Sequence, residues 1–122
     1  MRVVIPSDIK DEDADIASLF GMSKYFFIYE VGNEEARLLE VRENQDFKVL
    51  RGLEHSRKPP AVQKMIDNLL NDCHVFVAVG INEWVVNNLT ARGQKVILTE
   101  GGKIRKLVER YSKRKGRKDY LD

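Results

Sequence analysis

A chain of 122 residues, 43% hydrophobic and 33% charged, suits one domain with its own core and excludes disorder throughout. Its 21 Lys and Arg against 19 Asp and Glu leave a formal charge of +2, and its single cysteine, Cys73, excludes an internal disulfide. The longest apolar run, Val75 to Ile81, is far short of the roughly 20 residues of a membrane-spanning helix. No secretory signal is visible in MRVVIPSD, so the expected location is the cytoplasm without membrane association.

Arg2-Val3-Val4-Ile5-Pro6 reads as a short buried strand ended by Pro6 and the polar pair Ser7-Asp8. Five carboxylates then fall between Asp8 and Asp15. Their spacing lacks the glycine and terminal glutamate of an EF-hand loop, so a solvated acidic loop is expected rather than a cation site. The stretch SLFGMSKYFFIYE closes that loop with Phe20-Gly21 and leads into an aromatic strand, Tyr25 to Val31. Gly32-Asn33 supplies turn chemistry, and Arg37 to Arg42 completes an antiparallel meander. Residues 43–59 show no clean period and are expected to form a long loop.

Pro59-Pro60 marks a helix start, because a proline at the first helical position loses no needed hydrogen bond. Val62, Met65, Ile66, Leu69 and Leu70 then recur at helical spacing on one face. Val75 to Val79 is a continuous apolar run typical of a strand covered on both faces. Asn82 caps a helix from Glu83 to about Arg92, stopped by Gly93. Val96-Ile97-Leu98 is a further strand, and Gly101-Gly102 leads into a last helix carrying Ile104, Leu107, Val108 and Tyr111.

The order βββ-αβ-αβ-α predicts a single α/β domain over residues 1–112, with parallel pairing and right-handed crossovers in its second half. A basic, flexible tail is expected over 113–122. In open α/β sheets ligands settle beyond the carboxyl ends of the strands, where the winding direction changes. That crevice, between the first and fourth strands, gathers three segments. They offer Ser7, Asp8, Phe20 and Gly21 from the first loop, Gly80 and Asn82 from the second, and Gly101, Gly102 and Lys103 from the third. The glycines permit close backbone approach or merely make the turns; the helix starts at Asn82 and Lys103 favour a negatively charged ligand. Neither GxGxxG nor GxxxxGK[ST] is present, so a dinucleotide or NTP site is not supported. The first strand carries no acid within it and no triad pattern stands out, so the chain reads as a non-enzyme. Adjacent Cys73 and His74 lack the paired spacing of a zinc site and lie at the opposite end of the sheet.

MRVVIPSD, SLFGMSKYFFIYEV and VFVAVGINEWVVNNLTARGQKVILTEGG, in that order and spacing, resemble the dinitrogenase iron–molybdenum cofactor biosynthesis family over roughly residues 1–110. The resemblance implies a ribonuclease H-like three-layer fold with a mixed five-stranded sheet in order 3-2-1-4-5, flanked by helices. It also implies a carrier of iron–molybdenum cofactor or iron–sulfur precursors, acting as a monomer or homodimer among metallocofactor assembly proteins. The family's His before Phe-Gly is a candidate cluster ligand; here that position is Leu19, and leucine cannot ligate metal. His55, in the loop before the first helix, lies near a position where relatives often carry a His and is the metal-ligand candidate.

The charge asymmetry supports an alternative reading. Residues 103–118 hold nine Lys or Arg and one acid, Glu109. Lys113, Arg114, Lys115, Arg117 and Lys118 form a candidate polyanion-binding segment for nucleic acid or an acidic protein, with no RNA- or DNA-reading motif beside it.

Overall fold

A computed structural model describes residues 1–33, 35–113 and 120–121. Three strands come first: β1 (Arg2–Ser7), β2 (Tyr25–Gly32) and β3 (Glu35–Glu43). They are followed by α1 (Phe47–Gly52), α2 (Lys58–Leu69), β4 (Val75–Ala78), α3 (Glu83–Ala91), β5 (Lys95–Thr99), α4 (Ile104–Lys113) and β6 (Tyr120–Leu121). The sheet order is β3-β2-β1-β4-β5-β6. β1 pairs antiparallel with β2 and parallel with β4, so the winding reverses beside β1. The expected order 3-2-1-4-5 therefore holds, with β6 added parallel to β5.

The two faces of the sheet explain why β1, β2 and β4 are apolar without alternation. Val4, Phe26, Ile28 and Phe76 point to one face, where Leu50 of α1, Val62, Met65 and Ile66 of α2, and Val85 and Leu89 of α3 cover them. Val3, Ile5, Phe27, Val75 and Val77 point to the other, under Ile104, Leu107 and Val108 of α4. Successive side chains alternate between faces, so a strand sandwiched by helices must be apolar at every position. Each fully buried Phe or Ile contributes roughly 1.5–3 kcal/mol relative to exposure.

The segment 43–59 is not a plain loop. Its lack of period hides α1, six residues long, too short for an amphipathic repeat to show. Buried Asn44 organises it: Asn44 Nδ2 donates to the Ser23 carbonyl at 2.9 Å, and Asn44 Oδ1 accepts from the Asp46 amide at 3.1 Å. One side chain thus ties the start of α1 to the turn before β2.

Candidate functional site

Ser7 ends β1 fully buried, its Oγ donating to the Ile9 carbonyl at 2.9 Å and accepting from the Ile9 amide at 3.2 Å. It shapes the entry to the acidic loop. That loop is held down rather than simply solvated. The Ile16 amide donates to the Gly102 carbonyl at 2.9 Å, the Ile104 amide to the Ala14 carbonyl at 3.0 Å, and Asp15 bridges Lys103. Arg105 pairs with Asp13 at 3.0 Å and Glu12 at 3.1 Å. Glu12 in turn accepts from the Tyr29 hydroxyl at 2.9 Å, and burial together with this carboxylate pushes the phenol above its ordinary range. Gly102 and Lys103 therefore serve this clamp between the acidic loop and α4, while Gly101, like Gly102 at positive φ, turns the chain back on Thr99 Oγ1.

The chain returns from the loop into a 3-10 turn, Phe20–Met22. Leu19 bridges Gly80 in parallel, and the Phe20 amide donates to the Gly80 carbonyl at 2.9 Å. The Phe20 ring is anchored in the core against Phe26 and Phe76, with centroids 5.3 and 5.7 Å away. Phe20-Gly21 is thus a fixed wall, seated between the end of β4 and the start of α2.

Between this turn and those two elements lies a cavity of about 360 Å³. Phe20 and Gly21 line it, with Gly80 and Asn82 from the β4–α3 turn, and His55 and Lys58 from the entry to α2. Its remaining walls, including Leu19, Met22, Val62 and Ile81, are apolar. Asn82 caps α3 by accepting from the Trp84 amide at 2.8 Å, so a helix N-terminus opens at the rim. A second cavity of about 340 Å³ adjoins the first and is lined by Asp8, Ser18, Leu19, Met22, Arg51 and Lys58.

Of the residues singled out in the sequence, Phe20, Gly21, Gly80, Asn82 and His55 come together in the first cavity, and Asp8 lines the second. Ser7, Gly101, Gly102 and Lys103 line neither. Lys113 ends α4, exposed; Arg114, Lys115, Arg117 and Lys118 lie outside the described residues. Arg51, Lys58 and Met22 were not legible as site residues, because only the packing of α1 and α2 against the 3-10 turn brings them there.

His55 is the imidazole at the cavity and Met22 the sulfur. Among the described residues no group of three or more His, Cys, Asp and Glu side chains gathers as a metal ion requires. A metal-containing ligand here would lean on His55, with Met22 as a weak soft donor, and otherwise on shape and charge. At the far end of the sheet Cys73 is buried beside Asp72, and its thiol is pushed up to about 12, mainly by burial. It stays a thiol and packs. His74 Nδ1 accepts from the Arg2 amide at 3.0 Å, a structural use. Among the described residues no helix is long and apolar enough to cross a membrane.

The chain is thus a three-layer α/β domain with a ligand-sized cleft at the winding reversal. Residues 1–114 match the family described as dinitrogenase iron-molybdenum cofactor, and the chain belongs to it. No curated protein matches the chain. Among solved structures it resembles a Thermotoga protein described as a candidate NifB protein, with 26% identity, a TM-score of 0.63, and coverage of 91% of this chain and 86% of that one. It shares its fold with PH0822 at 19% identity and a TM-score of 0.70, over 92% of this chain and 90% of that one. It also shares it with the apo orange protein of Desulfovibrio gigas at 16% identity and a TM-score of 0.64, over 90% and 85%.

Proposed function

We propose that the protein is a non-catalytic carrier that takes an iron–molybdenum cofactor or iron–sulfur precursor as cargo in the cleft between Phe20-Gly21, the start of α2 and the β4–α3 turn. The observation that carries this reading is the cleft itself: apolar walls, one imidazole and one ammonium, set at the winding reversal of a domain of this family. His55 would ligate metal, while Lys58 and the N-terminus of α3 would offset the negative charge of a sulfide-rich cluster. Gly21 and Gly80 keep the backbone close, and the clamp made by Gly102 and Lys103 fixes the acidic loop behind the wall. With Leu19 where the family carries His, the cargo is held by fewer coordinate bonds, which suits delivery to an assembly protein. The carrier would work in the cytoplasm, as a monomer or homodimer.

The test is anaerobic titration of the full chain with tetrathiomolybdate and with a reconstituted iron–sulfur cluster, followed by gel filtration and metal analysis. Stoichiometric co-elution, reduced in His55→Ala, supports a carrier. Absence of retained metal with both probes would sink it.

A further inference from the structure

Lys58 is half-buried like Arg2 and Arg42, but it is not paired as they are. Arg2 and Arg42 bind Asp72, Arg92 binds Asp67, and Arg105 binds Asp13 and Glu12. Half-buried Lys58, by contrast, has no carboxylate partner among the described residues. A partly desolvated ammonium without a counter-ion favours an anion from outside. Its position matters further, because Lys58 lines both cavities, with Leu19 and Met22 as their shared wall.

Arg51 stands across the second cavity. Its guanidinium carbon lies 5.8 Å from the centre of the Phe47 ring, and its Nε donates to the Met22 carbonyl at 3.4 Å. Its nearest carboxylate oxygen is Asp8 Oδ1 at 3.8 Å, near the limit of an ion pair, and that same oxygen accepts from the Lys24 amide at 3.2 Å. Stacking and a carbonyl therefore position Arg51 while leaving its terminal donors weakly engaged. A planar fork and an ammonium lining one cavity suit a carboxylate or phosphate group.

We propose that the second cavity is an oxyanion subsite in which Arg51 and Lys58 hold a carboxylate or phosphate, beside the apolar cavity that holds the ligand's body. This deepens the carrier reading, and rests on it for the body of the ligand but not for the oxyanion. The oxyanion has two sources: a group borne on the cargo, or a separate anion bound beside it.

The experiment titrates the full chain with inorganic phosphate and, separately, with octanoate, following backbone amide shifts by NMR, with and without tetrathiomolybdate. Both probes are expected to shift Ser18, Leu19 and Met22 and the residues from 51 to 58. Arg51→Gln and Lys58→Met should each weaken phosphate about tenfold, the loss expected for one charge-assisted contact. Lys106→Gln, on exposed α4 surface, should change nothing. Octanoate binding at least tenfold tighter than phosphate, in competition with tetrathiomolybdate, supports an oxyanion borne on the cargo. Phosphate binding alongside tetrathiomolybdate supports a separate anion. Absence of a response to both probes, or affinities unchanged in both variants, overturns the subsite. Failure of both tetrathiomolybdate and the iron–sulfur cluster to be retained overturns the carrier reading and leaves the oxyanion result standing.

Discussion

A Cβ added to Gly21 would stand 2.5 Å from both methyl carbons of Val62, so the 3-10 turn and α2 are in contact through the absence of a side chain. Gly80 makes the matching approach on the other flank, where a Cβ would meet the Ser18 carbonyl oxygen at 2.7 Å. Between them these glycines fix the wall of the cleft.

Gly80→Ala should be the costlier of the two substitutions, because a backbone carbonyl cannot step aside as a methyl can. Gly21→Ala is expected to lose about 1–3 kcal/mol by overpacking against β-branched Val62. Urea denaturation of Gly21→Ala, Val62→Ala and the double variant checks this. The double variant should lie above the sum of the singles, and strict additivity would show that the contact does not limit the packing.

Replacing Asn44 by Ala removes the donor to the Ser23 carbonyl and the acceptor for the Asp46 amide. With these groups in a buried setting, the loss should be about 1–3 kcal/mol. Hydrogen exchange should speed up first at the Asp46 and Leu50 amides, since α1 depends on that anchor. Uniform acceleration across the sheet would instead mean that Asn44 supports the whole domain.

Leu19 is 51% exposed at the junction of the two cavities. Leu19→His should therefore cost little stability, within about 0.5 kcal/mol. It should raise retention of an iron–sulfur cluster by adding an imidazole to the cavity that His55 and Met22 line. Equal iron content in Leu19→His and the parent protein would place the ligand elsewhere.

The Asp72 carboxyl is held well below the usual carboxylate range, first by hydrogen bonds from Arg42 at 2.6 and 2.8 Å and further by Arg2. A depressed folded value means that its stabilisation is complete above the unfolded pKa of about 3.9 and is lost as pH falls through the folded value. Urea midpoints of the parent and Asp72→Asn should therefore differ most at neutral pH and converge in strong acid. A gap constant across that range would show that Arg42 is not held through charge.

Native Cys73 should resist iodoacetamide at pH 8, being buried with its thiol pushed up to about 12, and react once urea exposes it. Rapid native alkylation would mean that this end of the sheet opens readily.

Periodicity and turn chemistry alone identified β1 to β5, α2, α3 and α4, and the Asn82 cap, but not β6. Those signals are local: alternation between sheet faces, the 3.6-residue repeat and a side-chain oxygen two residues before the amide it caps. The winding reversal beside β1 was legible too, partly from topology and partly from the resemblance that implied the strand order. Long-range packing decided the rest. α1 escaped notice because six residues carry no repeat, and the tie from Asn44 to the Ser23 carbonyl spans 21 residues of sequence. The acidic loop read correctly as solvent-facing, but its pairing with Arg105, far along the chain, was not legible. Arg51, Lys58 and His55 meet Leu19 and Met22 only when α1 and α2 dock on a turn from the first quarter of the chain, since no sequence spacing encodes a contact made by separate elements through a shared core.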